Sequence, residues 1–285
     1  NNSDKDALIF YSERGRCKKV SWKELKNKTN KFANFLVKQG IKRGDRVAAV
    51  LPNIPETVVA FLASAKLGAI WSSCSADFGP HAVIDRFGQI FPKILIVSDY
   101  YSYNNKNVNT LSKVNEILRA ITSIETVVVI PFDNTKLHKE TKFVYEDWTS
   151  IMQNFSEHVE EEVFEFNIQL YILYSSGTTG PPKCIVHGAG GSLLQHKKEH
   201  LLHCNISEKT KIFYFTTCGW MMWNWLVGAL SSGATILLFD GFPMYKKKDL
   251  LFEFASSEKI TLFGISAKYI DALNNSGVIP KNKHD

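Results

Sequence analysis

The 285-residue sequence predicts an α/β fold in which alternating βαβ units form mainly parallel sheets covered by helices. Two observations predict it. Short apolar runs of strand length recur along the chain, and stretches with helical periodicity separate them almost without exception. At 45% hydrophobic residues, the chain also has enough apolar material for a large core, as one large domain or two smaller ones.

The elements follow in order. A helix is expected from Trp22 to Gln39, because Ser21 and Glu24 make a capping box and Gly40 supplies a left-handed stop. Strands are expected at Val47 to Leu51, Ile94 to Val97, Val127 to Ile130, Leu170 to Tyr174, Ile212 to Thr217, Thr235 to Phe239 and Thr261 to Ile265. Helices are expected at Glu56 to Leu67, Ala82 to Ile90, Leu111 to Ala120, Leu193 to His203 and Leu250 to Glu258. The polar, charged stretch from Asp133 to Asn167 breaks the alternation, although Trp148 and Phe164 within it call for packing. The expected organisation is therefore a first α/β subdomain over 1–132, a connecting segment over 133–167 and a second α/β subdomain over 168–285.

Lys and Arg number 34 against 28 Asp and Glu, a net charge of +6. This mild excess suits small anionic substrates, and without a basic stripe interleaved with aromatics it does not imply nucleic-acid binding. Lys246, Lys247 and Lys248 are the one tight basic run, and it reads as a solvated helix start or loop. Cys17, Cys74, Cys184, Cys204 and Cys218 show neither a disulfide framework nor zinc-ribbon spacing, so a reducing cytoplasm is the expected compartment. No stretch approaches the roughly 20 apolar residues that cross a bilayer, and no membrane partner is expected. His196, His200 and His203 are spaced for one helix face, but Lys197 and Lys198 beside them disfavour a cation, and no metal site is expected.

The most informative segment runs from Leu170 to Lys183, where an apolar strand opens into Ser175-Ser-Gly-Thr-Thr-Gly180-Pro-Pro-Lys183. Backbone N–H groups of a glycine-rich turn form an anion-binding concavity; the hydroxyls of Ser175, Ser176, Thr178 and Thr179 add neutral donors, and Lys183 adds a charge. Ser175, Ser176, Gly177, Thr178, Thr179, Gly180 and Lys183 are thus candidate ligands of the phosphates of ATP. A Walker-type loop would continue as Gly-Lys-Ser/Thr into a helix, whereas Pro181 and Pro182 demand a stiff, extended connector to Lys183.

The order Tyr174-Ser-Ser-Gly-Thr-Thr-Gly180 with Pro182-Lys183 resembles the phosphate loop of the adenylate-forming superfamily, and Cys184 with His187 resembles its acetoacetyl-CoA synthetase branch. Two further segments agree. Leu51-Pro-Asn-Ile-Pro-Glu56 is similar to acetyl-CoA and acetoacetyl-CoA synthetases together, and Trp71-Ser-Ser-Cys-Ser-Ala-Asp-Phe78 to the acetoacetyl type. Gly219-Trp-Met-Met-Trp-Asn-Trp225 shares its Gly-Trp pair with acetyl-CoA synthetases and then diverges. The resemblance implies a ligase that uses MgATP, an acid and CoA, with acetoacetate as the acid. It further implies that Lys183, Thr178 and His187 serve catalysis, with a packed, hydrogen-bonded imidazole the alternative for His187. Trp220, Met221, Met222 and Trp223 are implied to shape the acyl pocket, with a core helix as the alternative and the preferred reading for Trp225, Leu226 and Leu230. Tyr103, Asn104, Asn105 and Lys106 map to a CoA contact. The family's adenine, ribose and magnesium ligands and its adenylation lysine would lie after Asp285, so the chain is expected to be a fragment that does not turn over alone. Alternatives that stay open are a ligase for acetate or another short acid, a nucleotide-binding protein without ligase activity, and a degenerate remnant.

Overall fold

The computed structural model describes residues 3–15, 17–133, 143–175 and 180–284. In chain order the elements begin with strands β1 (Asp6–Ser12) and β2 (Cys17–Ser21), helix α1 (Trp22–Lys38), β3 (Arg46–Leu51), α2 (Pro55–Lys66), β4 (Ile70–Ser75) and α3 (Pro80–Phe87). They continue with β5 (Ile94–Ser98), the hairpin β6 (Tyr100–Tyr103) and β7 (Lys106–Asn109), α4 (Val114–Ala120), β8 (Thr126–Ile130), β9 (Glu146–Asp147) and α5 (Trp148–Asn154). The last group is β10 (Gln169–Ser175), β11 (Lys183–Gly188), α6 (Ala189–Lys198), β12 (Lys211–Tyr214), α7 (Met221–Gly228), β13 (Thr235–Asp240), α8 (Leu250–Glu258), β14 (Leu262–Gly264) and α9 (Ala267–Ser276).

Two sheets result. The larger has the order β11-β10-β4-β3-β5-β8-β9, and the smaller β14-β12-β13-β1-β2. All neighbours pair parallel except β10 with β11 and β1 with β2. The predicted α/β class and its mainly parallel sheets hold. Each sheet takes strands from both sides of the segment at 133–167, so that segment does not separate one sheet from the other.

The strand sequences explain the layering. Along β3, Val47, Ala49 and Leu51 enter one core while Ala48 and Val50 enter another, so the strand is apolar on both faces, as a sheet covered on both sides requires. The central core holds α1 and α2 between the sheets, with Phe32, Phe35, Val58 and Phe61 facing Leu8 and Ile236 as well as Val47 and Trp71. The outer cores pack α3 and α4 on the larger sheet and α8 and α9 on the smaller. Helix α1 starts as expected, with Ser21 Oγ accepting the Glu24 N–H at 3.1 Å, and Gly40 follows its end with φ of +75°. Beyond the predicted elements, Asp6 to Ser12, Cys17 to Ser21, Ile70 to Ser75 and Lys183 to Gly188 are strands; the helix expected at Leu193 to His203 begins earlier, at Ala189, and its last residues, 199–203, form a π-helical turn.

Candidate active site

Strands β10 and β11, on either side of the candidate phosphate loop, pair antiparallel. Register runs from Tyr171 opposite His187 through Tyr174 opposite Cys184 to Ser175 opposite Lys183. The chain therefore returns from the loop as a strand, not as the helix a Walker-type loop needs. Ser175 and the exposed Lys183 face each other across its mouth, and Gly180 takes φ of +119°. Ser176, Gly177, Thr178 and Thr179 lie outside the described residues. Gln89, just past α3, holds the returning arm: its Nε2 donates to the Pro182 carbonyl at 2.8 Å, and Cys184 Sγ donates to its Oε1 at 3.6 Å. Behind the hairpin the Tyr174 hydroxyl lies 3.1 Å from Ser72 Oγ, and burial raises its pKa far above the ordinary phenol range, so it stays a neutral hydrogen-bonding group.

The Gly219–Trp225 segment docks at the same edge. Strands β4 and β10 run parallel with Trp71 opposite Tyr171, so both end on one side of the sheet. There Ser73 Oγ donates to the Cys218 carbonyl at 2.6 Å, and Cys218 Sγ donates to the carbonyls of Leu51 at 3.1 Å and Cys74 at 3.4 Å. A Cβ on Gly219 would stand 3.2 Å from the Ser75 nitrogen, so a side chain there would press on the β4 backbone. The four candidate pocket residues part company at this point. Trp220 and Met221 are exposed, Met222 is half-buried against the central core, and Trp223 is fully buried. Trp225 and Leu226 are core residues, and Leu230 packs half-buried against the same core. The Trp223 ring is edge-on to Phe61 at 5.8 Å, Phe61 tilts against Tyr171 at 6.3 Å, and Tyr171 stacks on His187 at 4.8 Å. An aromatic series thus joins the start of α7 to the arm that carries Lys183. His187 is half-buried in it, and burial lowers its pKa, which keeps the imidazole neutral at physiological pH.

Tyr103, Asn104, Asn105 and Lys106 form the tip of the β6–β7 hairpin. Tyr103 pairs with Lys106, and the two asparagines between them have φ of +48° and +64°, the two positive values a tight two-residue turn demands. Sequence reasoning missed what holds this tip. The carboxylate of Glu13, 3% exposed, accepts from the N–H groups of Asn104 at 2.8 Å, Asn105 at 2.7 Å and Phe242 at 2.7 Å, and from Ser102 Oγ at 3.0 Å. A single acid after an apolar run carries no local signal of such a role. Asp240 was also missed. Its carboxyl is pushed up to about 7 by burial, with Glu13 and Asp77 adding repulsion against the lowering effect of the Asn53 N–H, which donates to it at 3.1 Å.

The histidines of the α6 region do not converge on a metal. His196 and His200 sit with ring centroids 6.0 Å apart, His203 is exposed, and burial lowers the pKa of His200 to about 4. Among the described residues no group of three His, Cys, Asp or Glu is placed to hold a metal ion. Two open clefts, of about 540 and 680 Å3, lie nearby, the first taking in Glu13 and Asn105 of the hairpin tip and the second Tyr171 and Asn224. Tyr11, Arg14 and Phe254 line the first, Phe61, Phe164 and Leu193 the second, and neither takes in Lys183 or Met222.

The family model described as "AMP-binding enzyme" matches residues 1–285. The chain belongs to the AMP-binding enzyme family. Among curated relatives, acetoacetyl-coenzyme A synthetase of Rhizobium meliloti (strain 1021) is 47% identical over 282 residues, covering 98% of this chain and 43% of the relative. Acetoacetyl-CoA synthetase of Xenopus tropicalis is 40% identical over 293 residues, covering 99% of this chain and 44% of the relative. The solved acetoacetyl-CoA synthetase from Streptomyces lividans superimposes with a TM-score of 0.93 at 39% identity, over 100% of this chain and 43% of that one. The chain thus spans less than half the length of these AMP-binding relatives. Its two large sheets and the helices that cover them are the fold it shares with that solved structure.

Proposed function

We propose that this chain forms part of an AMP-forming acid–thiol ligase that activates acetoacetate and transfers it to CoA. The observation that carries the reading is the meeting, at one sheet edge, of the Ser175/Lys183 hairpin and the start of α7, docked on β3 and β4. Such edges are where open α/β sheets bind ligands. An acetoacetate carboxylate oxygen attacks the α-phosphorus of MgATP, the bond to pyrophosphate breaks, and an acyl-adenylate forms. The CoA sulfur, having lost its proton, then attacks the acyl carbonyl, and AMP leaves. Neither step needs a side-chain nucleophile, so the catalytic burden is positioning and charge stabilisation. Magnesium enters as part of the nucleotide substrate.

In this reading Ser175, Ser176, Gly177, Thr178, Thr179, Gly180 and Lys183 hold the phosphates. Thr178 and Lys183 meet the charge that develops on them, and His187 orients the arm from behind. Trp220, Met221 and Met222 line the acid pocket with Trp223 as its floor, and Tyr103 to Lys106 contact CoA. Names of relatives at 39–47% identity support acetoacetate as the acid. No helix among the described residues is long and apolar enough to cross a membrane. The partners in this reading are small molecules, and the five free cysteines suit the reducing cytoplasm. The test is pyrophosphate release by the longer natural protein with MgATP, CoA and either acetoacetate or acetate. Preference for acetoacetate is expected. Preference for acetate would overturn the substrate, and silence with both the ligase reading.

A further inference from the structure

We infer that Asn53 is a positioning residue that sets acid selectivity by fixing the indole of Trp223; the inference rests on the acid-pocket reading of Trp220 to Trp223. Asn53 follows the end of β3 and is 1% exposed. Its Oδ1 accepts the Trp223 Nε1–H at 2.9 Å. Its Nδ2 donates to the Thr216 carbonyl at 3.2 Å and reaches the Phe239 carbonyl at 3.5 Å, while its backbone N–H goes to Asp240. One side chain therefore joins the larger sheet, the smaller sheet and the first turn of α7.

Only an amide suits these partners. An aspartate would keep an acceptor for the indole but set its second oxygen, another acceptor, against the two carbonyls, and an alanine would strand the indole donor in a dry site. Met222 precedes Trp223 and packs half-buried on the core cluster that Trp223 belongs to. With the indole held at one end by Asn53 and flanked by Phe61, the wall that Met222 presents is fixed relative to the strand ends. Selection between acids that differ by an acetyl group depends on such a wall keeping its place.

The experiment uses the longer natural protein with Asn53→Ala, Trp223→Phe, the double variant and Met222→Ala, and compares kcat/KM for acetoacetate with that for acetate. Trp223→Phe keeps most of the ring and carries the test alone should Asn53→Ala fail to fold. Asn53→Ala and Trp223→Phe are each expected to lower the acetoacetate-to-acetate ratio about tenfold. The double variant should fall little further, because both break one hydrogen bond. A merely structural role would lower both acids by one factor and leave the ratio fixed; that outcome, with Met222→Ala still shifting the ratio, overturns the role of Asn53 and spares the pocket. An unchanged ratio in Met222→Ala overturns the pocket itself, and the inference with it.

Discussion

Replacing Glu13 by alanine should loosen the β6–β7 tip and leave the sheet edge intact. The carboxylate is buried and accepts four hydrogen bonds, three of them from backbone N–H groups that have no obvious substitute acceptor. Each buried group left unpaired costs about 1–3 kcal/mol. Water can reach some of them once the side chain is gone, and removing the carboxylate also removes its own desolvation cost. The net expectation is a loss of about 2–4 kcal/mol, with Glu13→Gln recovering only part, since its NH2 group would face an N–H donor. Hydrogen exchange in the longer natural protein is the direct assay. The amides of Asn104, Asn105 and Phe242 should lose protection while those of β3 and β5 keep theirs, and KM for CoA should rise while KM for ATP does not. Unfolding changed by less than about 0.5 kcal/mol, with exchange at the three amides unaltered, would refute the clamp.

Three other perturbations test separate parts of the structure. The folded pKa of Asp240, about 7, lies above its ordinary value of 3.8, so its penalty on stability is absent below about pH 4, grows through pH 7 and is then constant, on the order of 3–4 kcal/mol. Asp240→Asn should raise the thermal midpoint at pH 8 and make little difference at pH 4.5; an equal offset at both would show that ionisation is not the cause. Lys183→Ala should slow acid-dependent pyrophosphate release about a hundredfold and CoA capture of preformed adenylate much less, as rapid-mix kinetics can separate. Gly68 has φ of +63°, and a Cβ there would stand 2.9 Å from the Phe164 ring and 3.0 Å from Ile168, so Gly68→Ala should cost about 2 kcal/mol or more in unfolding; a change near zero would mean that the 164–168 segment moves freely.

The legible parts of the fold were those where one local signal suffices. The cap at Ser21, the stop at Gly40 and the apolar runs of β3, β5, β8, β10 and β13 all speak within a few residues. What stayed hidden depends on distant partners. β1 carries the apolar run Ala7 to Phe10 but lies before the first helix, and only β13, over 220 residues away, gives it a parallel neighbour. The strand from Lys183 to Gly188 gives no such local signal, because it follows two prolines that read as a connector ending at Lys183 and its pairing with β10 is what defines it. Within the candidate site, the loop could be picked out by composition and the Gly219 segment by its resemblance to related synthetases, whereas Asn53, Glu13 and Asp240 act through bonds spanning about 90 to 230 positions in sequence. The indole of Trp223 is the clearest case. Its sequence neighbours suggested an exposed pocket wall like Met221, yet helical periodicity turns it inward onto Phe61.

β4 explains why these pieces meet at all. A strand reading Ile70-Trp-Ser-Ser-Cys-Ser75 has weak β-propensity and three hydroxyls, a poor choice for the middle of a seven-stranded sheet if packing were its only task. Each of its two inner serines has a specific use. Ser72 Oγ donates to the Ile172 carbonyl at 3.0 Å and so stitches β4 to the strand that delivers the phosphate loop. Ser73 Oγ donates to the Cys218 carbonyl at 2.6 Å, accepts the Trp71 indole N–H at 3.1 Å, and so holds the start of the acid-pocket segment. Valine at either position would improve the strand and sever one of these ties. The polar strand therefore sets the distance between the β10–β11 hairpin and the start of α7, and in the proposed reaction an in-line attack of carboxylate on phosphate would be sensitive to that distance at the scale of an ångström.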